Sequence, residues 1–214
     1  DVDDRIVLSE NLTQANVRQF LTARGFTGIG GGRFFINGVD TETKGVDVVF
    51  SWPWEQDFGR FDFSLFGNVN RTDVTRIPTT APLAALTPAP ELFGRINVLT
   101  FEEGTPKNKF GVSSDWSQGA WGSTLRLTRY GEVLDPGTTA QFDARLGAEV
   151  VVDLEGRYQF NDNLELSLGA ENLLDRYPDT FPISRNTTGT TAYSNYAPFG
   201  RSGRFLYARL NYRF

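Results

Sequence analysis

Leu206-Tyr-Ala-Arg-Leu-Asn-Tyr-Arg-Phe214 ends the chain, with Leu206, Ala208, Leu210, Tyr212 and Phe214 on one parity and Arg209, Asn211 and Arg213 on the other. Side chains of a β-strand point alternately to its two faces, so this segment is a strand with one apolar and one polar face. The same alternation recurs upstream. Val46, Val48, Phe50 and Trp52 oppose Asp47 and Ser51, and Phe61, Phe63, Leu65 and Val69 oppose Arg60, Asp62, Ser64, Asn68 and Asn70, with Phe66 out of step. Phe110, Val112 and Trp116 follow, and then Trp121, Leu125 and Leu127 against Arg126 and Thr128. Val150, Val152, Leu154, Tyr158 and Phe160 oppose Glu149, Asp153, Glu155 and Arg157, and Leu164, Leu166, Leu168 and Ala170 oppose Glu165, Ser167 and Glu171.

Alternation suits a soluble sandwich as well as a membrane barrel, and the connections separate the two. They alternate between short and long: Pro53 to Phe58 and then Thr75 to Pro106, Ser117 to Ala120 and then Gly131 to Gln141, Asn161 to Asn163 and then Asp175 to Gly203. Outer-membrane barrels have short periplasmic turns and longer extracellular loops. All four tryptophans, Trp52, Trp54, Trp116 and Trp121, lie beside short connections, as an interfacial girdle requires. Setting Trp116 opposite Trp121 places Val112 opposite Leu125 and Phe110 opposite Leu127, so that apolar rows meet. The expected architecture is all-β: an antiparallel up-and-down transmembrane β-barrel segment of about eight strands with short periplasmic turns and long extracellular loops.

Composition excludes several functions. The chain has no His and no Cys, which removes catalytic triads that need imidazole or thiolate and the usual zinc sites. The formal net charge of -5 argues against nucleic-acid binding. No run approaches the roughly 18 apolar residues of a spanning helix, and barrel strands need none. No enzyme activity, metal or cofactor is expected. The chain starts at Asp1 rather than Met and is expected to be a processed product or a fragment. Before residue 34, Arg5 to Leu8 forms a strand end. Val17, Phe20 and Leu21 have helical spacing between Thr13, read as a cap, and Gly25, read as a stop. Gly28-Ile-Gly-Gly-Gly-Arg33 lacks the spacing of a dinucleotide-binding loop and is expected to be flexible.

Three segments, Asn37-Gly-Val-Asp-Thr-Glu-Thr-Lys-Gly-Val-Asp47, Ala170-Glu-Asn-Leu-Leu-Asp-Arg-Tyr177 and Tyr207-Ala-Arg-Leu-Asn-Tyr-Arg-Phe214, together resemble the C-terminal part of TonB-dependent outer-membrane receptors. The resemblance implies a bacterial outer-membrane location. It also implies uptake of a scarce small molecule, such as a ferric siderophore, haem or cobalamin, through a larger plugged barrel energised by TonB. Residues 1–214 are expected to be the C-terminal part of the barrel domain, with no plug domain present. The implied partners are outer-membrane lipid, the barrel-assembly machinery, TonB through the missing plug domain, and a metal chelate or similar ligand.

The resemblance assigns the assembly signal to Leu210, Tyr212 and Phe214. In the last long loop Arg185, Tyr193, Tyr196 and Phe199 are the candidate ligand contacts, because aromatic rings and a guanidinium suit planar or anionic ligands. In the lumen, Asp153 is expected near Glu171, with Arg209 as a counter-charge. The competing reading is a complete eight-stranded structural or adhesive barrel. Its closed lumen would have to be filled by side chains, and the inward set of Asp, Glu, Arg, Asn and Ser suits a wide interior better.

Overall fold

A computed structural model describes residues 1–77, 81–182, 184–186, 188–190 and 192–214. The loops expected at Thr75 to Pro106 and Asp175 to Gly203 therefore include a few positions outside the described residues. The strands are β1 (Val2–Leu8), β2 (Phe35–Gln56), β3 (Gly59–Arg76), β4 (Asn108–Gln118), β5 (Trp121–Tyr130), β6 (Val133–Asp135), β7 (Ala144–Leu146), β8 (Glu149–Asn161), β9 (Leu164–Glu171) and β10 (Phe205–Tyr212). Eight of them follow one another in the order β1-β2-β3-β4-β5-β8-β9-β10, and β6 pairs with β7 separately. The order is open: among the described residues no pairing joins β10 to β1. No helix of the described residues is long and apolar enough to cross a membrane.

The chain divides into two compact units. The first comprises residues 1–44, 71–104 and 136–143. Here β1 pairs antiparallel with the start of β2, Leu8 opposite Phe35 and Val2 opposite Thr41. Three helices complete it: α1 (Ala15–Thr22), α2 (Ala81–Ala84) and α3 (Arg95–Glu103). Leu12, Val17, Leu21, Ile36, Val39, Leu83, Leu92 and Phe93 form a buried core, with Val7, Val74, Val98 and Phe101 packed against it. The helix α1 lies where the apolar spacing puts it, but Thr13 does not cap it: Gln14 is the N-cap and makes no side-chain cap hydrogen bond. Gly25 does stop it. Its φ of +91° carries the chain out of the helix while Gly25 and Phe26 donate back to Thr22 and Leu21, satisfying the last carbonyls. The glycine run is not the free loop expected. Leu12 and Gly32 exchange both backbone hydrogen bonds, and a β-carbon at Gly31 would strike the Leu12 carbonyl at 2.6 Å.

The second unit comprises residues 45–70, 105–135 and 144–214. Its strands pair antiparallel in sequence order along β3, β4, β5, β8, β9 and β10, which is the expected up-and-down pattern. The turns are tighter than the sequence suggested. β2 continues through Pro53 to Gln56, so only Asp57 and Phe58 separate it from β3, and Gly119 and Ala120 alone join β4 to β5. Gly119, at φ +56°, allows that two-residue hairpin. The register of β4 against β5 is accordingly corrected: Gln118 faces Trp121, Trp116 faces Ser123 and Val112 faces Leu127. Because the shift is two residues, apolar rows still meet apolar rows, which is why the error left the faces intact. Expected only as a loop, Gly131 to Gln141 instead begins with β6, and Val133, Leu134 and Leu146 of the β6–β7 hairpin are buried.

The two faces of this wall are chemically separate. Phe50, Leu168 and Leu210 on the apolar face are 61%, 57% and 65% exposed, left uncovered by the described residues of this chain. Near the short turns that face gathers Trp54, Phe58, Phe61 and Trp116, with ring centroids 5.4–6.5 Å apart, and also Trp121 against Tyr158 at 4.6 Å. The Trp116 indole donates to the Phe58 carbonyl, so its apolar ring keeps a satisfied N-H.

Candidate functional site

The polar face of the second unit is a connected network. Arg157 donates to both oxygens of Asp115 at 2.9 and 3.0 Å and to Thr124 at 2.7 Å. Arg209 reaches Glu155 at 2.9 Å, and the Tyr207 hydroxyl donates to the same carboxylate at 2.8 Å. The counter-charge expected for Asp153 and Glu171 is thus used elsewhere: Arg209 pairs with Glu155, two positions along β8. Asp153 instead accepts the backbone N-H of Asn172.

Two departures from alternation are explained by glycines. The Tyr207 ring lies over Gly169, its cross-strand neighbour, and Phe66 lies over Gly111 in the same way. A side chain at either glycine would occupy the ring's place.

Above this network lies a cavity of about 580 Å³. Strand β5 supplies Thr124, Arg126 and Tyr130; β8 supplies Asp153 and Glu155; and Glu171, Phe205, Tyr207 and Arg209 come from β9 and β10. Phe199, Gly200 and Gly203 of the last loop form the remaining wall. Phe199 stands 5.8 Å from the Tyr130 ring. Aromatic faces beside guanidinium and carboxylate groups can stack on a planar molecule and hydrogen-bond its edge.

The loop is held in place by the Ala170–Tyr177 segment quoted above. Asn172, at φ +51°, accepts from the Arg176 N-H and donates to the Arg176 carbonyl, closing the turn after β9. Asp175 accepts the N-H of Arg204 at the loop's far end, and Gly203, at φ +72°, leaves the room that Tyr177 and Asp175 occupy.

The four candidate ligand residues are not brought together. Phe199 lines the cavity. Arg185 instead ties the loop to β6, donating to the Asp135 carbonyl at 2.9 Å and pairing with its carboxylate at 2.9 Å. That carboxylate also accepts from Ser194, which is fully buried. Tyr193 stacks on Tyr177 at 5.8 Å, and the Tyr196 N-H bonds the Ser194 hydroxyl. Leu210 and Tyr212 lie on the apolar face of β10, with Phe214 beyond its end and stacked edge-on against Tyr212. Arg126, Tyr130, Phe205 and Tyr207 were missed as cavity residues. The signal for Phe205 and Tyr207 was present in the sequence, as aromatic residues on the polar parity of the last strand.

An uncovered apolar face ringed by aromatics, a polar charge-paired reverse face, and short turns opposite long loops define a section of outer-membrane barrel wall. The chain belongs to the family described as TonB dependent receptor-like, beta-barrel, whose model matches residues 1–173. This family places it in the bacterial outer membrane.

Among solved structures the fold is similar to the copper transporter OprC, at 15% identity and a TM-score of 0.53. A mutant ferric enterobactin receptor PfeA from Pseudomonas aeruginosa is similar at 16% identity and a TM-score of 0.53. In both, 99% of this chain aligns with 27% of the other, so the chain spans about a quarter of their length. No curated protein matches it.

Proposed function

We propose that the chain is the C-terminal wall and loop portion of a TonB-dependent uptake receptor for a scarce small molecule such as a ferric siderophore, haem or cobalamin. The observation that carries this reading is the cavity between the polar face of β5, β8, β9 and β10 and residues 199–203. It has the chemistry of a binding chamber on the long-loop side, and the polar wall below suits a water-filled or plugged lumen. An open strand order and alignment with about a quarter of a larger receptor favour this over a complete eight-stranded barrel. TonB and a plug domain are the partners this role requires.

Phe199 is the loop's ligand contact, with Tyr130 beside it, whereas Arg185, Tyr193 and Tyr196 act by holding the loop. Leu210, Tyr212 and Phe214 serve as the assembly signal, an apolar row on a strand whose far edge is unpaired among the described residues. The test is titration of the full-length receptor with ferric enterobactin, haemin and cyanocobalamin, followed by tryptophan fluorescence. One ligand is expected to bind, and F199A to weaken it about tenfold, the effect of losing one aromatic stack. Equal binding by F199A would move the contact elsewhere. Unchanged uptake of all three after gene deletion would count against the role.

A further inference from the structure

One row of the second unit carries charges that no partner satisfies. Arg126 on β5 is directly opposite Asp153 on β8, and Phe205 on β10 is directly opposite Glu171 on β9. Leu154 pairs with Ala170 one step away, so Asp153 comes beside Glu171 and the four residues form a single row across four strands. All four line the cavity of about 580 Å³. The next row along is neutralised, because Arg209 and the Tyr207 hydroxyl both donate to Glu155. In the first row, among the described residues, the Arg126 guanidinium and the Glu171 carboxylate make no hydrogen bond and no ion pair, and both residues are exposed to the cavity. Asp153 accepts the Asn172 N-H on one oxygen and keeps the other open.

The order along the row is cation, carboxylate, carboxylate, aromatic ring. Strands lie about 4.8 Å apart, so roughly 10 Å separates the backbones of Arg126 and Glu171, and one small molecule can reach both. Of the ionised groups lining the cavity, Arg209 and Glu155 pair with each other, which leaves one guanidinium against two carboxylates. A wall of that balance disfavours a ligand whose whole surface is anionic and favours one with a cation at the Glu171 end. An ammonium placed there meets two carboxylates as charge-assisted acceptors, and the Phe205 ring offers its face to the same charge. At the other end Arg126 takes an oxygen acceptor through its guanidinium fork. Resting on the uptake reading above, we propose that this chamber selects a small molecule with a free ammonium group at one end and oxygen acceptors at the other, and discriminates against an all-anionic chelate.

The test uses full-length receptor in detergent and ferric trihydroxamates that share one metal core. Ferrioxamine B has a free terminal ammonium, its N-acetylated form has no charge there, and its N-succinylated form has a carboxylate in its place. Wild type is expected to bind ferrioxamine B about tenfold more tightly than the acetylated form, the low end of the range for one hydrogen-bonded charge, and the succinylated form most weakly. E171Q is expected to abolish the tenfold difference and leave the acetylated form unchanged, whereas E171K is expected to reverse the order in favour of the succinylated form. R126Q should weaken ferrioxamine B and its acetylated form alike. Each variant is checked first for the heat-resistant mobility of a folded barrel. Absence of ferrioxamine B binding, equal binding of the three forms, an unchanged order in E171K, or tighter binding of ferric enterobactin than of ferrioxamine B would overturn the charge assignment and leave the uptake reading standing. Ferrioxamine B uptake that survives deletion of the gene, with the expected order in the purified receptor, would overturn the uptake reading and leave the charge assignment.

Discussion

Replacing Gly169 by alanine tests how the last three strands are joined. Glu155, Gly169 and Tyr207 are cross-strand neighbours on β8, β9 and β10, and the Tyr207 ring crosses Gly169 to donate a 2.8 Å hydrogen bond to Glu155. A β-carbon at Gly169 would overlap the Tyr207 ring and hydroxyl. The atoms in the way are the far end of a side chain that can turn aside, so the lower end of the overpacking range applies, about 1 kcal/mol. Turning aside breaks a bond to a carboxylate, and Arg209 still serves that carboxylate, so about 1.5 kcal/mol more is lost. G169A should therefore cost about 2–3 kcal/mol, and Y207F about 1.5 kcal/mol. The assay is guanidinium unfolding of the full-length receptor in detergent. A double-mutant cycle is decisive: once Tyr207 is already alanine, adding G169A should cost under about 0.5 kcal/mol. If G169A costs the same with and without the tyrosine, the ring does not occupy the glycine notch.

Other expectations rest on different contacts. R185A leaves the nearly buried Asp135 carboxylate without its cation, a loss of about 3 kcal/mol confined to the loop, read as faster proteolysis within residues 176–203. R185K should rescue it only partly, since the guanidinium serves a carbonyl and a carboxylate at once. Glu10 provides a pH signature: burial, and then the neighbouring Glu91, hold its carboxyl above the usual range. A raised carboxyl stabilises the fold fully below its unfolded value and loses that contribution as pH rises through its folded value. E10Q should therefore melt progressively higher relative to wild type as pH goes from about 4 to 7; a constant difference would refute this. F93A empties the centre of the first unit's core and should cost about 3–5 kcal/mol there, measured by amide exchange in α3.

Much of the wall was legible because period-two alternation survives errors in turn length. The β4–β5 register was wrong by two residues, yet Leu127, expected opposite Phe110, meets Val112 on the same apolar side. Less legible was whatever depended on single hydrogen bonds. Nothing in the sequence around Thr13 shows that Gln14 starts α1, and α3 lacks a strong apolar periodicity to reveal it within the long β3–β4 connection.

At the site, the loop residues were chosen by type, and type cannot distinguish an arginine that faces a ligand from one that pairs with Asp135 across 50 positions of sequence. The cavity residues of β10 were readable in principle. Phe205 and Tyr207 break the polar parity of their strand, and aromatics out of step with a face mark a glycine notch or a lined chamber.

In a barrel wall the apolar parity of these strands faces lipid and the polar parity faces the lumen. The chain contains no cysteine, so single cysteines introduced at Leu125, Arg126, Leu127 and Thr128 of β5 in the full-length receptor can each carry a nitroxide without background from this region. In reconstituted bilayers, the labels at Leu125 and Leu127 should be relaxed by oxygen dissolved in the lipid. Those at Arg126 and Thr128 should instead be relaxed by a water-soluble nickel chelate or be shielded from both. Equal accessibility at all four positions, or the opposite alternation, would contradict the account.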